Sequence, residues 1–81
     1  MEEKIKNFIK KHYPSVKINI NGVGEDNIHI EYVSKPKCDV KFMYGRLFKQ
    51  FEWLEYIIVE GGWDSWVYTK NTLKYAGYYN D

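Results

Sequence analysis

The stretch Tyr56–Tyr68, Tyr-Ile-Ile-Val-Glu-Gly-Gly-Trp-Asp-Ser-Trp-Val-Tyr, constrains the fold more than any other part of this chain. Two apolar, β-prone runs flank Gly61-Gly62, and glycine accepts the positive φ that a tight hairpin turn demands. A two-residue turn there sets Glu60 opposite Trp63. One face of the hairpin then carries Tyr56, Ile58, Trp63 and Val67, with Ser65. The other carries Ile57, Val59 and Trp66, with Glu55, Asp64 and Tyr68 among them. Side chains alternate across a strand, so neither face is cleanly polar. A sheet with one wet face alternates more sharply than this. Either both faces of the hairpin are covered, or one shows aromatic surface to water.

A chain of 81 residues reads as one domain, near the small end of what folds without covalent staples. It can cover one sheet face easily and two with difficulty. Cys38 is the sole cysteine, so no internal disulfide forms and a cytoplasmic setting is expected. No run approaches the roughly 20 apolar residues of a membrane span. Met1–Lys6 lacks the apolar centre of a signal peptide. The formal net charge is +1, but residues 1–50 hold ten Lys/Arg against six Asp/Glu, and residues 51–81 hold two against five. That imbalance is too mild for a nucleic-acid footprint, which needs a strongly basic stripe.

Glu2–Tyr13 reads as an amphipathic helix. Ile5, Phe8, Ile9 and Tyr13 recur at helical spacing, and Lys4, Lys6, Lys10 and Lys11 take the other sides. Glu2 and Glu3 suit its N-terminus, and Pro14 disfavours helical geometry at Tyr13. Val16, Ile18 and Ile20 then alternate with Lys17, Asn19 and Asn21. Gly22–Asn27 is a turn by composition, and Ile28, Ile30 and Tyr32 resume the alternation with His29 and Glu31 facing out. This is a hairpin with one wet face. Gly22-x-Gly24 lacks the third glycine and following helix of a phosphate loop. A second helix follows from Asp39, a suitable N-cap. Val40, Met43, Tyr44, Leu47, Phe48 and Phe51 form its buried stripe, and Gly45 marks close contact with a neighbour. Its end falls near Glu52 or runs on to Tyr56. After the central hairpin, Thr69–Thr72 reads as a turn. The tail Leu73–Asp81 is then a last strand or an irregular strap.

The chemistry-bearing residues do not assemble into a reaction centre. His12 and His29 lie on different elements, and a zinc site needs three or four ligands. Cys38 beside Lys37 lacks a histidine partner. Ser65 lacks the Gly-x-Ser-x-Gly elbow of an exposed nucleophile. Glu52, Glu55, Glu60 and Asp64 read as polar punctuation of an aromatic hairpin. No catalytic, cofactor or metal residue is therefore assigned, and the expected class is non-enzymatic. The aromatics are the remaining signal: 12 of the 15 fall between Phe42 and Tyr79. Trp and Tyr are enriched at binding hot spots, which points to Trp63, Trp66, Tyr68, Tyr56 and Asp64 as a partner-binding surface. The partner is a protein or a second copy of the chain, since homodimerisation would cover a bare sheet face. The rival is a single-stranded nucleic-acid binder that stacks bases on the aromatics beside Lys70, Lys74, Lys17 and Lys49. If both hairpins join one sheet, Lys17 and Asn19 could sit beside Trp66.

Ile9–Pro14, Val16–Ile20, Asp26–Tyr32, Phe48-x-x-Phe51 and Asp64-x-x-Val67-Tyr68 together resemble a small domain found in the large polyvalent proteins of phages and conjugative elements. The resemblance spans about residues 5–68 and lies in the order helix, hairpin, helix, aromatic end. The chain departs from that pattern at Tyr32–Pro36, where Trp-x-x-Gly-Pro is expected. The resemblance carries no catalytic residues. It implies a mobile-element accessory protein, one that blunts a host defence. The expected fold is α+β: a mainly antiparallel sheet of four or five strands with two helices on one face, in the order α-β-β-α-β-β, with a further strand optional.

Overall fold

The computed structural model describes residues 1–61 and 65–79. Element order is α1 (Glu2–His12), β1 (Ile18–Val23), β2 (Asn27–Tyr32), α2 (Lys41–Gln50), β3 (Tyr56–Glu60), β4 (Trp66–Thr69) and α3 (Lys70–Tyr75). The strands form one sheet in the order β1-β2-β3-β4. The α+β class stands, but several expectations are corrected. The sheet is mixed: β1 pairs β2 and β3 pairs β4 antiparallel, while β2 and β3 run parallel at its centre. Thr69–Thr72, expected as a turn, holds the end of β4 and the start of a third helix, Lys70–Tyr75, where two helices were expected, and the described part of the tail adds no strand.

The parallel pair follows from α2. A helix that joins two neighbouring strands and packs on the sheet returns the chain to its starting end, so the second strand runs with the first. The hydrophobic spacing shows that a helix separates the hairpins, but it carries no sign of strand direction. Burial peaks along this central pair: Ile28, Ile30, Ile57 and Val59 all face the helices and are buried. Ile5 and Ile9 of α1 join them, as do Met43, Tyr44, Leu47 and Phe48 of α2, in one core. At about 25 cal/mol per Å² of apolar area removed from water, such large side chains supply most of the drive to fold.

α1 ends with Tyr13 as its C-cap, one residue before Pro14. α2 starts two residues after Asp39, whose Oδ1 accepts the Lys41 amide at 3.1 Å, and ends at Gln50 with an extended Phe51. β1 reaches Val23, further than the expected turn, because a bulge between Ile20 and Gly22 absorbs one residue. The β3–β4 hairpin also differs from expectation. Val59 pairs with Trp66 and Ile57 with Tyr68, so the connection is longer than two residues. Glu60 opposite Trp63 was expected from a two-residue turn, and Trp63 lies outside the described residues. A register shift of two keeps every side chain on its face. Ile57, Val59, Trp66 and Tyr68 therefore share one face, and Tyr56, Ile58 and Val67 share the other, as the alternation indicates.

Candidate functional site

All the buried core lies on one side of the sheet. Among the described residues, the other side carries none of it. Across its middle run Gly22, His29, Ile58 and Val67 in register. At one end of the strands lie Asn27, Tyr56 and Thr69, and at the other Asn19, Glu31 and Glu60. Tyr56 is 44% exposed and Val67 48%. His29 Nδ1 lies 3.5 Å from Glu60 Oε1, tying β2 to β3 across this face. At the opposite end, Glu55 lies 3.7 Å from the Lys70 ammonium. The bare face thus combines an apolar strip, Tyr56–Ile58–Val67, with the carboxylates of Glu31 and Glu60 at one border.

Of the expected binding residues, the described three, Tyr56, Trp66 and Tyr68, do not share one exposed face. Trp66 is 60% exposed, but it stands on the helix side of the edge strand β4, above a hollow of about 270 Å³ shared with Lys41, Thr72 and Ala76. Tyr56 is on the bare side. Tyr68 does not reach the surface: it is 7% exposed, and its ring packs on Tyr44 with centroids 4.8 Å apart. Tyr44 in turn shares a short hydrogen bond with the Tyr32 hydroxyl. These rings belong to the core, as do Phe48 and Phe51, so the interior absorbs part of the aromatic surplus. Trp63 and Asp64 lie outside the described residues. Ile58 and Val67 were not among the expected binding residues. Their spacing from Tyr56 along and across the hairpin is the signal that places them there. Lys17 and Asn19 do not neighbour Trp66, because β1 and β4 are opposite edges of the sheet.

The chemistry-bearing residues are dispersed. His12 stacks on Phe8 with centroids 4.6 Å apart. Cys38 is exposed. Ser65 Oγ donates to the Gly61 carbonyl at 3.2 Å, which serves the hairpin. Among the described residues no three His, Cys, Asp or Glu side chains converge as metal ligands. Nor is any helix among them long and apolar enough to cross a membrane. Comparison of the chain with protein-family models, with curated proteins and with solved structures gives no significant match.

Proposed function

We propose that this is a small non-catalytic protein-binding protein whose interface is the bare face of the sheet. The observation that carries the reading is one-sidedness: among the described residues the buried core lies on one face, and the other leaves Tyr56 and Val67 exposed beside a half-buried Ile58. An apolar strip bordered by Glu31 and Glu60 suits a partner surface that is apolar and basic. The sequence pattern's resemblance to domains of phage and conjugative-element polyvalent proteins suggests an accessory role in a mobile element, with a host defence protein as the partner. Nucleic acid fits this face less well, because its border is acidic and phosphates need Lys and Arg.

Site-specific photo-crosslinking in the native cell tests the reading. A photoreactive phenylalanine at Val67 is expected to trap a discrete protein that the same group at Lys35, an exposed position between β2 and α2, does not trap. Identical products from both positions would refute it. Tight single-stranded DNA binding that weakens steeply with salt would replace it with the nucleic-acid reading.

A further inference from the structure

A second surface lies at the opposite edge of the sheet, and it has the opposite charge. Between α1 and β1 runs a groove of about 450 Å³. Ile9, Val16 and Ile18 line it on the helix side, and Val33, 65% exposed, lies with Lys17 on the other side. Its rim carries Lys6, Lys10 and Lys17. Among the described residues these ammonium groups make only weak local contacts: Lys6 lies 3.9 Å from Glu2, and Lys17 Nζ donates to the Pro14 carbonyl at 3.3 Å.

The groove also runs along a sheet edge. β1 is the terminal strand. The Val33 amide donates to the Lys17 carbonyl at 2.9 Å, which marks 17 and 33 as a hydrogen-bonded pair. Such pairs alternate with non-bonded ones in an antiparallel ladder. Ile18 pairs with Tyr32 and Ile20 with Ile30, so the N–H and C=O groups of Ile18 and Ile20 turn away from β2, toward the free edge. An edge of this kind is a template for one more strand.

We propose that this groove binds an extended peptide segment of alternating acidic and apolar residues from a partner protein, added to the free edge of β1 as a fifth strand. Backbone pairing to Ile18 and Ile20 holds the segment. Its apolar side chains face the helix side and meet Ile9, Val16 and Ile18, and its carboxylates face the other side, where Lys17 stands. Period-two alternation is what a strand requires to present the two kinds of side chain to the two sides. The inference does not rest on the strip of Tyr56, Ile58 and Val67, which lies on β3 and β4, away from the β1 edge.

The test is an NMR titration of the whole chain with the acetylated octapeptide (Val-Glu)4. Amide shifts are expected to centre on Ile18, Ile20 and Val33. The variant K10E/K17E changes two exposed side chains and should keep the wild-type circular dichroism. It should weaken (Val-Glu)4 binding by about tenfold and gain binding of (Val-Lys)4. Shifts centred on β4, or equal binding of both peptides to the wild type, would overturn the proposal. Displacement of the peptide by oligothymidylate at these amides would assign the groove to nucleic acid. Concentration-dependent shifts of the same amides without peptide would assign it to a second copy of the chain. Either of those results also overturns the proposal.

Discussion

At Gly45 the second helix has no room for a side chain. A Cβ there collides with the Tyr78 carbonyl oxygen and comes within 3.7 Å of the Tyr79 Cα. The segment after α3 thus lies directly on α2. Phe42 meets the Tyr78 ring edge-on at 4.7 Å, and Lys41 and Lys49 lie over the Tyr78 and Tyr79 rings. Alanine gains about 1 kcal/mol over glycine as a helix former, but forcing the backbones apart costs about 1–3 kcal/mol. Gly45→Ala should therefore lower stability by about 1 kcal/mol in urea unfolding, and a stabilised variant would show that residues 78–79 do not rest on α2. The glycine was legible as a contact point, because nothing else explains a poor helix former in mid-helix. Its partner was not, since the tail's place depends on the whole fold. Tyr78 offers a second check. Its hydroxyl titrates above 10.0, first because it hydrogen-bonds Asp39, then because of that carboxylate's charge, then from desolvation. A pKa raised by folding means that the neutral phenol is the favoured form. The contribution is complete below pH 10.0 and disappears as pH rises through the folded value. Asp39→Ala should return the Tyr78 titration, followed by NMR, toward 10.0. An unchanged curve would rule out the pairing.

At the scale of elements, α3 shows what spacing conceals. Leu73, Tyr75 and Gly77 alternate with Lys74, Ala76 and Tyr78 like a strand, yet the segment from Lys70 is helical. The stronger signals were the ends. Thr69 Oγ1 accepts the Thr72 amide at 3.1 Å as an N-cap. Gly77, at φ 87°, closes the helix: its amide reaches the Lys74 carbonyl at 3.1 Å and the Tyr78 amide reaches Leu73 at 2.8 Å. That double bond pattern needs a residue at positive φ, which is why glycine stands there. A six-residue helix cannot nucleate alone, so the caps and the burial of Leu73 decide its existence. Thr69→Ala should cost about 1 kcal/mol, with increased hydrogen exchange confined to α3 and the segment it places on α2. Loss spread evenly over the sheet would contradict a local cap. Periodicity was sufficient for α1, α2 and the faces of both hairpins, because each pattern spans two or more turns or pleats. It was silent on the parallel β2–β3 pairing and on the β3–β4 register, which depend on where chain segments meet rather than on any local repeat.

At the scale of the whole fold, the described residues put the core on one side of a single sheet and leave the other side open to water. Neighbouring residues of one strand, Ile57 and Ile58, sample the two sides. Ile57 is fully buried beneath the helices, whereas Ile58 stands in the bare strip between His29 and Val67. Threonine keeps the β-branch in both, so strand propensity changes little. Ile57→Thr removes a buried methylene and methyl group and places a hydroxyl in the core, at a cost of about 2–4 kcal/mol. Ile58→Thr, with water already at hand, should cost less than about 1 kcal/mol. Denaturant unfolding of the pair measures the asymmetry directly. Equal costs would mean that the bare face is packed in solution. Mass action then identifies the cover: a midpoint temperature that rises with protein concentration requires a second copy of the chain on that face. In that case Val67→Lys should reduce the mass in solution to that of a monomer, and the interface assigned to a partner protein would belong to self-association instead. The expected result is the unequal pair with a concentration-independent midpoint, which leaves the strip of Tyr56, Ile58 and Val67 free to meet a different protein.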